Sequence, residues 1–128
     1  MYQASVENRG DSRYYATTPN SSLVLDTNGQ GPNPIDTMLA SLAACVAHHI
    51  LYWLRDRNID NPGFTVAASG ELSEDRLRLS AISVVAGIGH IARDSEQRRE
   101  LMEYIQRCPI YGTLSIGCPT NFSFTERL

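Results

Sequence analysis

The chain has 128 residues, 42% hydrophobic and 20% charged, with a formal net charge of −3. That is enough for one domain, residues 1–128, with a real core, and it excludes disorder, collagen-like repeats and disulfide-dense scaffolds. The acidic balance argues against nucleic acid or a membrane surface as partner, since both select a basic face. All eleven basic residues are Arg, so the chain has no lysine for a Schiff base or a phosphate loop.

Residues 1–28 read as extended chain. Ser12–Thr18 and Ser22–Asp26 are strand-prone and flank the turn signal Pro19-Asn20, and Met1–Glu7 could add a further strand. After the loop Asn28–Pro32, Asn33 suits a helix N-cap, Pro34 the first helical position and Asp36 the positive end of the dipole. Ile35, Met38, Leu39, Leu42, Val46, His49, Ile50 and Trp53 then recur at steps of three and four. Ala40, Ala43, Ala44 and Ala47 fill the other side, which predicts a long central helix buried on most faces. A single short chain covers such a helix poorly, so a homodimer is expected.

Phe64–Leu72 and Leu77–Ile91 alternate as two strands around the acidic turn Ser73-Glu74-Asp75. Asp94 or Ser95 should cap a second helix with Leu101, Met102 and Ile105 on its apolar face, ending by Cys108 because Pro109 follows. Ile110–Ile116 reads as a short helical turn, and Thr120–Thr125 as a last strand with Phe122 and Phe124 on one face. The order gives an α+β domain. The N-terminus MYQASVENRG shows no apolar signal core, and Ile35–Leu54 contains Asp36, Thr37, Ser41, His48 and His49, which disfavours a membrane span. The expectation is a cytoplasmic protein whose thiols start reduced.

Three cysteines could carry chemistry. Cys45 lies in the middle of the long helix, where a free cysteine is most often a small buried hydrophobe. The helix dipole fades within one turn, so a reactive Cys45 needs a nearby cation. Cys108 ends the second helix on the face of Leu101 and Ile105, and two cysteines on buried helix faces could meet in the core as a redox couple. Cys118, in Gly117-Cys118-Pro119, is the spare. His48 and His49 follow Cys45 at i+3 and i+4, a weak metal-site signal beside the plainer reading of packed or hydrogen-bonded imidazoles. Arg9 and Arg13 read first as exposed strand or turn arginines.

The stretch Gly31-Pro32-Asn33-Pro34-Ile35-Asp36-Thr37-Met38-Leu39-Ala40-Ser41-Leu42-Ala43-Ala44-Cys45 resembles the central helix of the OsmC/Ohr family of thiol peroxidases, and Cys108-Pro109-Ile110-Tyr111-Gly112-Thr113-Leu114 resembles that family's second cysteine motif. The resemblance covers essentially the whole chain. It implies an OsmC-like fold, an intertwined homodimer with active sites at the subunit interface, and reduction of organic hydroperoxides without metal, flavin or other cofactor. A dithiol or lipoyl-type reductant would recycle the enzyme. Residue by residue, Cys45 would be the peroxidatic thiol and Cys108 the resolving one. Arg9, or else Arg13, would be the activating arginine, and Asp36 its acidic partner.

The organic-hydroperoxide branch carries a Glu directly after the Pro, where this chain has Ile35; its acid comes one residue later, turned by about 100° and one methylene shorter. Met38, Leu39, Leu42 and Trp53 would form an apolar substrate pocket favouring organic peroxides. Two rival readings stand beside this one: a weakly active or non-enzymatic small-molecule-binding member of the same fold, and a metal-binding protein using Cys45, His48 and His49.

Overall fold

The computed structural model describes residues 1–126. Three strands, β1 (Ser5–Asn8), β2 (Arg13–Thr17) and β3 (Ser22–Asp26), form an antiparallel sheet in the order β1-β2-β3, with Ser5 opposite Thr17 and Tyr14 opposite Leu25. The 23-residue helix α1 (Pro34–Asp56) follows. Next come β4 (Val66–Leu72) and β5 (Leu79–Ala86), which pair as a two-stranded sheet, and then helices α2 (Ser95–Ile105) and α3 (Pro109–Ile116). The fold is α+β, as expected.

The chain divides into two compact units, one made of Met1–Ser41 with Ala68–Ser83, the other of Leu42–Ala67 with Val84 onward. In the first, the buried carboxylate of Asp26 organises the loop before α1. It accepts hydrogen bonds from Ser12 Oγ (3.0 Å) and the Asn28 backbone N–H (2.7 Å), while its own N–H donates to the Pro32 carbonyl (3.0 Å). A polar side chain is tolerated at such burial only when hydrogen-bonded in this way. Asn33 then caps α1 as expected, its Oδ1 accepting from the Asp36 N–H at 2.8 Å.

The second unit holds most of the core: Leu42, Val46, Ile50, Trp53 and Leu54 of α1 are buried, as are Ile88, Ala92, Leu101, Ile105 and Cys108. Asp94 caps α2 by accepting from the Gln97 N–H at 2.8 Å. Tyr104 and Glu100 of α2 bond Asp56 and Arg57 at the end of α1.

Helix α1 buries one face within the chain, and Ala40, Ser41, Ala44, His48 and Leu51 are exposed, so a single chain leaves part of the helix uncovered. Two expectations need correction. Residues Thr120–Thr125 form no strand: Phe122 and Phe124 alternate as a strand would, yet their rings pack on each other, 5.1 Å between centroids, and both stay exposed, so the burial that drives strand pairing is missing. The fourth and fifth strands are shorter than 64–72 and 77–91. After the Gly87 N–H bonds the Thr65 carbonyl (2.8 Å), the N–H groups of Ile91 and Ala92 turn back onto the Ile88 carbonyl (both 2.8 Å) and end the ladder.

Candidate active site

The second unit brings both predicted cysteines together and adds a histidine. One ring nitrogen of His49 and the sulfurs of Cys45 and Cys108 all lie within 4.8 Å of one another. Cys45 and His49 reach this point from α1, where a spacing of four residues puts both on one helical face. Cys108 arrives from the junction of α2 and α3 and is 1% exposed.

That junction follows from the Cys-Pro step. Pro109 cannot continue α2 but is well suited to open a helix, and Cys108 becomes the N-cap of α3. Its sulfur takes the place of the usual capping oxygen, accepting the Tyr111 N–H at 3.3 Å. The Ile110 backbone hydrogen-bonds the Cys45 thiol. The start of α3 thus directs two successive amides at the two sulfurs, and the Ile110 amide favours the thiolate of Cys45.

Burial nevertheless pushes the Cys45 thiol above its ordinary pKa, the neighbouring Cys108 adds to the rise, and the Ile110 amide opposes it. At neutral pH Cys45 is therefore mostly a protonated thiol. Its alkylation by iodoacetamide should climb about tenfold per pH unit through neutrality and level off only above the pKa of an ordinary cysteine. A plateau near pH 7 would show a cation at the sulfur. The raised pKa costs no stability while the unfolded thiol is also protonated, and stability falls as pH rises from the unfolded value to the raised one.

The remaining predicted residues keep to their own surroundings. Arg9 follows β1, pairs with Glu7 (Nε–Oε1 2.9 Å) and lies 3.9 Å over the Tyr15 ring. Arg13 opens β2 and pairs with Asp11 at 3.5 Å; both pairs are solvent-exposed. Asp36 is exposed in the first turn of α1, and Ile35 beside it is exposed as well. Met38 is half-buried; Leu39, Leu42 and Trp53 are buried.

The set Cys45, His48 and His49 does not converge. His48 turns outward, its Nε2 hydrogen-bonded to the Tyr52 hydroxyl at 2.7 Å, and Cys108 takes the place that spacing alone gave to His48. His49 is held differently: its Nδ1–H donates to the Cys45 carbonyl at 2.8 Å. The i+4 spacing from Cys45 was visible in the sequence, but the approach of His49 to Cys108 depends on how α2 and α3 return to α1.

The OsmC-like protein family model matches residues 27–123, a span that includes the loop before α1, both cysteines and all three helices. The chain belongs to the OsmC-like protein family. Solved structures agree in fold. An OsmC-like protein from Mycoplasma pneumoniae superposes with a TM-score of 0.75 at 19% identity, covering 91% of this chain and 88% of that one. An organic hydroperoxide resistance protein from Elizabethkingia anophelis gives 0.64 at 18%, covering 91% and 89%. The organic hydroperoxide resistance protein OhrB of Bacillus subtilis gives 0.56 at 20%, covering 91% of each chain. No curated protein matches the chain. Within this OsmC-like chain, then, the converging pair Cys45 and Cys108 is the candidate site.

Proposed function

We propose that this OsmC-like protein is a cytoplasmic thiol peroxidase for organic hydroperoxides, a single domain working as a homodimer with the exposed alanine side of α1 covered by its partner. The observation that carries the reading is the approach of the Cys45 and Cys108 sulfurs to within 4.8 Å. A disulfide needs about 2.05 Å, so side-chain movement of no more than about 3 Å joins them.

The Cys45 thiolate attacks the peroxide oxygen, the O–O bond breaks, and the alcohol leaves after taking a proton. Cys45 is then a sulfenic acid. The Cys108 thiolate attacks that sulfur, the S–S bond forms, and water leaves. A dithiol or lipoyl-type reductant returns both thiols by exchange. The two amides at the start of α3 supply hydrogen bonds to the sulfurs in these steps. The raised thiol of Cys45 requires a counter-ion, a role we assign to Arg9 or Arg13, with Asp36 holding it. Met38, Leu39, Leu42 and Trp53 supply the apolar surroundings that select an organic peroxide.

The raised Cys45 thiol and the exposed Ile35 also favour a second reading, a weakly active small-molecule-binding member of the family. Peroxide consumption with a dithiol as reductant separates the two. The peroxidase consumes cumene or tert-butyl hydroperoxide faster than hydrogen peroxide, and mass spectrometry of the oxidised protein finds Cys45 joined to Cys108. Absence of turnover with both thiols still reduced supports the binding member, and a Cys108–Cys118 bond refutes the pairing.

A further inference from the structure

Cys45, His49 and Cys108 together have a chemistry that neither cysteine has alone. Two thiols and an imidazole are the donor set that zinc-class cations select, and two thiolates with one histidine make a three-ligand site that leaves a fourth position open. Around a tetrahedral zinc the ligand atoms sit about 3.5–3.8 Å apart, so atoms already within 4.8 Å of one another close onto a cation by side-chain shifts of order 1 Å.

The surroundings are those of a supported site. The His49 ring donates through Nδ1 to the Cys45 carbonyl, which leaves Nε2 as the nitrogen for a cation. This is the outer bond that fixes tautomer and orientation in metal-ligating histidines. The Tyr111 N–H bonded to Cys108 Sγ orients a second ligand. Two ligands rise from one helix at i and i+4, and the third comes from the start of another. His48 is engaged by Tyr52 and plays no part.

We propose that the reduced protein binds one zinc-class divalent cation through Cys45, His49 and Cys108, with water or a small ligand in the fourth position. Because the same two sulfurs would form the disulfide, bound cation and disulfide exclude each other. Two thiolates give two electrons to a hydroperoxide, which with two protons becomes alcohol and water, and the cation is released. Metal binding itself requires only the reduced thiols and is read without peroxide, so it stands or falls independently of the peroxidase reading.

Protein purified without a nickel column, reduced and with its thiols counted, is titrated anaerobically with Co2+. One Co2+ per chain should give tetrahedral d–d bands and a thiolate-to-metal charge-transfer band, and Zn2+ should displace it. His49→Ala, which removes a ligand outright, should weaken binding by more than the roughly 10- to 100-fold that loss of an outer partner costs. Cys108→Ser should lose a large part of the charge-transfer intensity, while His48→Ala and Cys118→Ser bind as wild type. Reduced wild type giving no charge-transfer band with excess Co2+ overturns the site. So does Co2+ binding that is unchanged in both His49→Ala and Cys108→Ser, whose fold is checked by circular dichroism.

Discussion

In steady-state assays with cumene hydroperoxide and a dithiol, Cys45→Ser is expected to lose all turnover, and Cys108→Ser to fail in a different way. A serine hydroxyl at position 45 offers no thiolate to the peroxide oxygen, and no other described thiol shares its amide partner from α3. Cys108→Ser keeps the attacking sulfur, so with the dithiol left out one equivalent of peroxide is still consumed and a sulfenic acid accumulates, trappable by dimedone. It can form no Cys45–Cys108 bond. Wild type oxidised by the same peroxide gains a crosslink closing a loop of roughly 60 residues, which on chain-entropy grounds stabilises the fold by up to about 4 kcal/mol. Thermal unfolding of oxidised and reduced wild type measures that gain, and Cys108→Ser should show none. Turnover persisting in Cys45→Ser would remove Cys45 from the chemistry.

The largest effect on stability is expected at Trp53. Its side chain is fully buried, and its indole Nε1 has no hydrogen-bond partner among the described residues. Trp53→Ala deletes a large buried aromatic and leaves a cavity in the core, which costs about 3–5 kcal/mol. Trp53→Phe should cost clearly less, because it keeps most of the ring and removes a buried N–H that has no partner among the described residues. Urea unfolding midpoints measure both. Equal losses in the two variants would mean that the indole N–H has a partner after all.

The elements were legible where the local code is strong. Asn33-Pro34 announces the start of α1, Asp94 the start of α2, and Cys108-Pro109 both an end and a beginning, because capping and proline chemistry act within one turn. The alternation of Phe122 and Phe124 misled, since period two reports a face that could be buried and not whether anything lies against it. The pair Cys45 and Cys108 could be named from the two motifs, but their approach is a long-range fact that periodicity does not contain. His49 shows the limit best. Spacing set it beside Cys45, yet equally set His48 there, and only the turn of α2 into α3 selects between them.

Cys108 carries a further consequence, because its sulfur is also the cap of a helix. Its lone pairs receive the Tyr111 amide, so the first turn of this eight-residue helix is tied to a sulfur that also lies within 4.8 Å of that of Cys45. Whatever moves that sulfur acts on the start of α3 as well.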